Sequence, residues 1–212
     1  GDDFVNKFVR AIVSDSTGLD AVSPEPPPTQ QGLTATGGVI SDYTTSPGDI
    51  YRAHVFTSSG SFNVSAIGDY PATVEYLVVA GGGAGGGVQP GGSHHGSGGG
   101  GGAGGLRTNL SGHPLAGSAF PVSTSPGEYT VTIGGGGSGD PGSGANGTPS
   151  VFGPITSAGG GGGSGAVAPG EPGGLDGGSG GGGSRENNTT GSGNTPPVSP
   201  PQGNDGGSAQ PE

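Results

Sequence analysis

Residues 74–87 read VEYLVVAGGGAGGG, an apolar segment that passes without interruption into glycine. Residues 74–80 have the β-branched and aromatic composition of a strand. Their almost continuous apolar character predicts a central strand that is buried on both faces. Residues 81–87 have almost no side chains to bury, so packing must change from side chains to backbone at Ala80.

The glycine runs return several times along the chain, at 98–105, 134–139, 159–165 and 177–184. Turns or short strand-like segments separate them. This layout favours parallel and antiparallel polyglycine II strands, which rise about 3.1 Å per residue and make no internal hydrogen bonds. Their amides must therefore bond to neighbouring strands, and Ala84 and Ala103 should point outward. The alternative is a flexible Gly/Ser-rich coil.

Residues 35–80 show the alternating pattern of antiparallel strands. The sequence TTSPGD at 44–49 predicts a turn, and residues 50–56 (IYRAHVF) alternate behind it. A Ser-Ser-Gly turn then leads into residues 61–67 (SFNVSAI). This order predicts a hairpin between 50–56 and 61–67.

Residues 3–14 (DFVNKFVRAIVS) contain the helical pattern of the chain. Phe4, Phe8 and Ile12 recur every fourth residue, while Lys7 and Arg10 fall on the other side, as in an amphipathic helix. A helix of about three turns is not stable alone. Its apolar face therefore needs a partner, which is either another subunit in an assembly or the chain's own β-domain.

These patterns divide the chain by composition. The predicted parts are an assembly or anchoring helix (1–18), a Pro-rich spacer (19–34), a small antiparallel β-domain (35–80), a polyglycine II region (81–184) and an extended or disordered tail (185–212).

The composition limits how much core the chain can form. Of 212 residues, 56 are Gly and 20 are Pro, and 26% are hydrophobic. Glycine loses the most conformational freedom on folding, so a conventional two-layer core cannot hold the whole chain. The predicted fold class is mainly β with a polyglycine II bundle, one short N-terminal helix and no large core.

The charge balance excludes several partners. Five Lys and Arg against 16 Asp and Glu give a formal charge of −11, whereas nucleic acids and anionic membranes require clustered cations. No segment has the roughly 18 apolar residues of a membrane span, so no membrane insertion is expected. The chain has no Cys, which excludes disulfides and thiolate metal sites. Asp2 and Asp3 stand where a signal peptide would be positively charged, so none is expected.

No catalytic or cofactor motif emerges. Glycine runs contain GxGxxG by chance, but none opens a helix and no GK[ST] follows. No Ser lies in a GxSxG at the end of an apolar strand with a partner His and Asp, and the carboxylates are scattered singly. His94 and His95 could bind a metal only together with His54 or His113, and adjacent loop histidines rarely converge on one ion. We expect no enzyme activity, no cofactor and no metal.

The β pattern and the glycine runs together resemble a known family. Their order is YRAHVFTSSGSFNVS (51–65), VEYLVVAGGGAGGG (74–87), GGGGAGGLRTN (99–109) and PGEYTVTIGGGG (126–137). It is similar to the glycine-rich domains of bacteriophage tail-fibre and adhesin proteins, over about residues 35–165. The more specific parts are the strand that ends in YLVVA before Gly81 and the strand YTVTIG at 129–134.

The resemblance implies a virion-surface protein with a polyglycine II sandwich, assembled as a homotrimer with other virion proteins. Loops between the glycine strands would then contact a receptor on the host cell. His94, His95, Arg107 and His113 are the candidate contacts, although the loops here are short and poor in aromatic residues. The alternative from another class is an extracellular structural fibre or matrix protein of a microbe.

Overall fold

A computed structural model of the chain describes residues 30–44, 50–88, 97–139, 141–166, 172–185 and 187–209. The predicted helix with Phe4, Phe8 and Ile12 lies outside these residues. The described part contains eleven strands and no helix. The strands are β1 (Thr34–Thr36), β2 (Val39–Thr44), β3 (Ile50–Val55), β4 (Gly60–Ala66), β5 (Thr73–Val74), β6 (Leu77–Val79), β7 (Leu106–Thr108), β8 (Phe120–Pro121), β9 (Glu128–Thr132), β10 (Ser150–Phe152) and β11 (Ile155–Ser157).

A five-stranded antiparallel sheet in the order β1-β4-β9-β10-β11 carries most of the apolar packing. Its core is small and contains Ala35, Phe62, Val64, Phe120, Val122 and Val131. Phe152 meets both Phe62 and Phe120 edge to face, with ring centroids 5.8 and 5.1 Å apart. Edge-to-face contacts of this kind add to the effect of apolar burial.

The hairpin predicted between 50–56 and 61–67 is wrong. β3 pairs with β2, and β4 lies between β1 and β9. Phe62 and Val64 on β4 become buried only in this central position. The chain bends between β1 and β2 at Gly37 and Gly38, whose φ angles of +114° and +64° favour glycine.

The single buried strand predicted for residues 74–80 is also not observed. The segment forms two short strands, β5 and β6, in separate two-stranded sheets. Val78 and Ala80 are buried, whereas Leu77 and Val79 are 66% and 52% exposed. The strand therefore alternates, because β6 has a neighbour on one face and solvent on the other.

Glycine-rich segments pack beside one another to form a polyglycine II bundle. We name them PG1 (80–87), PG2 (98–105), PG3 (134–139), PG4 (142–148), PG5 (158–166), PG6 (179–184) and PG7 (202–207). Their hydrogen bonds run between segments, as the sequence predicted. Together with the sheets, the bundle confirms the predicted fold class for the described residues.

Strands and glycine segments follow directly on one another. β6 leads into PG1, β9 into PG3 and β11 into PG5, while PG2 leads into β7. The five-stranded sheet contains β1 and β4, which precede residue 80, and β9, β10 and β11, which follow it. PG7, the last segment of the bundle, lies within residues 185–212. Sheets and bundle are thus joined through continuous stretches of chain.

Candidate functional surfaces of the bundle and the 105–120 loop

PG5 lies at the centre of the bundle. Every residue from 157 to 166 is buried, and Ser164 is fully so. PG1 and PG6 run parallel to PG5, and PG2 and PG4 run antiparallel to it. The centre of this bundle is therefore backbone rather than side chain.

The hydrogen bonds between glycine segments recur every three residues. In PG5, the amides of Gly160, Gly163 and Ala166 donate to the carbonyls of Gly81, Ala84 and Gly87 in PG1, at 2.9, 2.9 and 3.0 Å. At the same three-residue interval, the amides of PG2 residues 99, 102 and 105 donate to the carbonyls of PG5 residues 164, 161 and 158. A step of three residues is the helical repeat of polyglycine II.

Side chains accept from two further amides of PG5. Gly162 N–H donates to Asn146 Oδ1 at 2.8 Å, and Gly165 N–H donates to Ser143 Oγ at 3.3 Å. Both side chains belong to PG4 and stand three residues apart. Asn146 Nδ2 also donates to the carbonyl of Asp176 at 3.1 Å. Asn146 and Ser143 thus take the place of another backbone neighbour.

The spacing between segments leaves no room for a Cβ at most bundle positions. A Cβ on Gly161 would overlap the carbonyl of Leu175, and one on Gly163 would overlap that of Gly99. Gly100 differs, because a Cβ there would meet no atom within 4 Å. Ala103 lies three residues further along PG2 and is exposed as predicted, while Ala84 is half-buried.

The 105–120 loop leaves the bundle through β7 and is held by two polar side chains. Thr108, 3% exposed, donates from Oγ1 to the carbonyl of Tyr76 at 2.8 Å. Asn109 Oδ1 accepts from the amide of Tyr76 at 2.8 Å, and its Nδ2 donates to the carbonyl of Val74 at 3.0 Å. These bonds hold residues 74–76, which connect β5 to β6.

Two of the predicted contact residues lie in this loop. Arg107 is half-buried on β7 opposite Val78. His113 is half-buried in a turn, where its Nδ1 accepts from the amide of Leu115 at 3.1 Å. His94 and His95 lie outside the described residues.

His54 is held elsewhere in the molecule. Its Nδ1 lies 2.7 Å from the carbonyl of Gly37, and its ring meets Phe62 edge to face at 5.1 Å. In the described part of the chain, no three His, Cys, Asp or Glu residues are grouped so that they could hold a metal ion.

An ion pair crosses the β2–β3 hairpin. Arg52 donates from Nε and Nη2 to the two carboxylate oxygens of Asp42, at 2.7 and 2.8 Å. These hydrogen bonds and the charge of Arg52 lower the pKa of Asp42 below its ordinary value. Both side chains are about half exposed, so the pair contributes little to stability.

An open groove of about 480 Å³ lies on the surface of the bundle. Backbone of PG2, PG6 and PG7 lines most of it, with Asn204 and Asp205 at one side. Its walls therefore consist mainly of peptide groups. Among the described residues there is also no helix long and apolar enough to cross a membrane.

A family description of glycine-rich domains matches residues 57–211. The chain belongs to this glycine-rich domain family. The match begins near β4 and includes every glycine segment through PG7. A search of curated proteins finds no match, and a search of solved structures finds none.

Sequence reasoning overlooked the polar residues that hold the glycine-rich domain together. Besides Asn146 and Ser143, Gln202 is 3% exposed and accepts from the amide of Ala158 at 2.8 Å through Oε1. Its Nε2 donates to the carbonyl of Pro196 at 2.9 Å. The three-residue spacing of Ser143 and Asn146 is a signal that matches the polyglycine repeat. Gln202 has no such signal, since it lies far along the chain from Ala158.

Proposed function

We propose that this chain is a non-catalytic structural protein of a virus particle, a component of a phage tail fibre or a related appendage. In this proposal residues 1–18 assemble or anchor it, as a homotrimer and with other virion proteins. The glycine-rich domain forms a rigid distal body. No cofactor and no nucleic acid takes part.

The observation that carries the proposal is the burial of every residue of PG5, chiefly by the backbone of its neighbouring glycine segments. A body held by repeated peptide hydrogen bonds is stiff and leaves few sites where a protease can bind an extended segment. It also leaves few buried side chains with which to form an active site. These properties suit an exposed mechanical part better than an enzyme.

The resemblance to tail-fibre adhesins adds a role in host attachment. The candidate surface is the 105–120 loop, with Arg107 and His113, together with His94 and His95 in the connection between PG1 and PG2. Thr108 and Asn109 fix the base of the loop, so a receptor could be met by a loop of defined shape.

Cryo-electron microscopy of purified particles that contain this chain tests the structural role. We expect density for the glycine-rich domain at the end of an appendage with closed rotational symmetry. An antibody against the chain that labels no particle, or that labels only internal components, would contradict the proposal.

Adsorption of particles to host cells tests the attachment role separately. Arg107→Gln and His113→Ala should lower the adsorption rate severalfold, because they remove polar contacts without touching the bundle. Arg52→Gln on the β2–β3 hairpin is the matched control. If particles with each of the three variants adsorb as fast as unmodified particles, the attachment role is contradicted and only the structural role remains.

The alternative is an extracellular fibre or matrix protein of a microbe. One observation favours it: the glycine groove of PG2, PG6 and PG7 exposes polyglycine backbone along its length. Polymers that grow through such contacts are open and helical rather than closed. Helical filaments of the purified chain, with no particle attached, would support this alternative.

A further inference from the structure

The β2–β3 hairpin has an apolar face that the described residues leave uncovered. Val39 pairs with Val55 and Tyr43 with Tyr51, so all four side chains lie on one face. They are 67%, 49%, 48% and 45% exposed. The two tyrosine rings stack with centroids 5.5 Å apart. We call these residues the hairpin face.

The opposite face of the hairpin is mixed, with Ile40 and Ile50 46% and 76% exposed beside charged side chains, and it is tied to the body. It carries the Asp42–Arg52 ion pair, and His54 on this side meets Phe62 of the core. The hairpin is therefore held at one end, while the hairpin face carries no charge.

An isolated two-stranded ribbon is at best marginally stable in water. Exposed apolar patches rimmed by polar residues commonly mark interaction sites. A cover for the hairpin face should thus be apolar, and it should be able to reach the start of β2.

We propose that residues 3–14 of a second copy of this chain cover the hairpin face. The segment is the part of the chain whose sequence presents a matching apolar set, with Phe4, Phe8 and Ile12 at helical spacing. It also contains Lys7 and Arg10, two of the five cations in a chain with 16 acidic residues. Charge therefore favours its association with the acidic remainder of either copy.

The spacer argues for a second copy rather than the same one. Residues 24–28 read PEPPP, a composition that favours an extended and stiff segment of about 3.1 Å per residue. β1 begins at Thr34, and Gly37 and Gly38 alone separate it from β2. The segment would have to fold back along its own spacer to reach its own hairpin, whereas exchange between copies needs no such reversal.

This inference rests on the assembly role proposed above for residues 1–18, but not on a location in a virus particle. Mutual exchange of such arms between copies generates a closed oligomer. The purified full-length chain is therefore sufficient to test it.

The absence of cysteine makes disulfide trapping a direct test. A tagged Phe8→Cys chain is mixed with an untagged Tyr43→Cys chain and oxidised mildly. We expect a disulfide between the two chains in high yield, since a disulfide requires Cα atoms within about 7 Å. Lys7→Cys with Tyr43→Cys, and Phe8→Cys with Thr44→Cys, place one thiol on the opposite side and should react at least several times more slowly.

The chain that carries both Phe8→Cys and Tyr43→Cys shows whether residues 3–14 on the hairpin face come from the same chain or from a second copy. A disulfide formed within a monomer, without a product between chains, would overturn the exchange and assign the hairpin face to the chain's own segment. The docking itself would be overturned if Phe8→Cys and Tyr43→Cys, whether on two chains or on one, react no faster than the control pairs.

Light scattering of the full chain gives a second readout. Phe8→Ser should shift the mass towards the monomer, whereas Asn6→Ser, an uncharged polar position of the same segment, should leave it unchanged. An oligomer that withstands Phe8→Ser would exclude the arm as its cause. That result would not touch the proposed virion location, which particle microscopy tests independently.

Discussion

Gly161 in PG5 packs so closely against Leu175 that a Cβ on Gly161 would overlap the carbonyl oxygen of Leu175. The amide of Leu175 in turn donates to the carbonyl of Gly162 at 2.8 Å. Close backbone approach and hydrogen bonding therefore occur in the same place. The contact exists because neither residue 161 nor residue 162 has a side chain.

Replacing Gly161 by alanine should destabilise the protein. Overpacking of a filled interior typically costs about 1–3 kcal/mol, and backbone is the least yielding neighbour. Gly100→Ala is the matched control, because its Cβ would meet open space, and it should change stability by less than about 0.5 kcal/mol. Denaturant unfolding of both variants measures the difference, and equal stabilities would contradict the packing described for PG5.

Removing the Asn146 side chain should weaken the bundle. Asn146→Ala leaves the amide of Gly162 without the acceptor that now lies at 2.8 Å, and an unsatisfied buried donor costs about 1–3 kcal/mol. Asn204→Ala is the control, since the backbone carbonyl of residue 204, which accepts from Gly180, remains in place. Thermal unfolding of the two variants tests the prediction, which fails if both melt together.

Amide hydrogen exchange should separate the inner from the outer glycines. The amides of Gly160 and Gly163 are buried and bonded to PG1, so they should exchange orders of magnitude more slowly than that of exposed Gly139. Exchange from such positions requires opening of the structure. Heteronuclear NMR resolves the individual glycines. Fast exchange at all three positions would mean that the glycine runs are coil.

The Asp42–Arg52 pair predicts a pH effect confined to the hairpin. Because hydrogen bonds from Arg52 lower the pKa of Asp42, the pair stabilises the folded state above the ordinary carboxyl pKa of 3.8. Its contribution is lost as the pH falls below that value. In Arg52→Gln the NMR titration of Asp42 should move up towards 3.8, whereas Arg107→Gln should leave it unchanged. An unchanged titration in Arg52→Gln would show that the pair does not form in solution.

Local sequence signals predicted those features that depend on local geometry. Five glycine runs that alternate with strand-like segments indicated a backbone-packed bundle, because only glycine permits such approach on every side. The strand at 128–132 follows from its alternating pattern. Arg107 and His113 fall on one loop, as their neighbourhood in the sequence requires.

Strand partners could not be read from the sequence. Residues 50–56 and 61–67 are adjacent, and a short turn made their pairing the expected outcome. Phe62 and Val64 instead gain burial from β1 and from β9, the latter more than 60 residues further along. The free energy gained by burying these side chains outweighs the additional entropic cost of closing the longer connection to β9.

The sequence by itself determined that this chain is mainly β, has little side-chain core and packs through glycine. Only the tertiary structure decided which glycine segment is central and which side chains complete it. PG1 and PG5 carry nearly the same local sequence, yet PG5 is buried at every residue and PG1 is not. The difference arises because hydrogen-bond partners such as Asn146 and Gln202 converge on PG5 from distant positions, and a run of glycines carries no side-chain pattern to distinguish its neighbours.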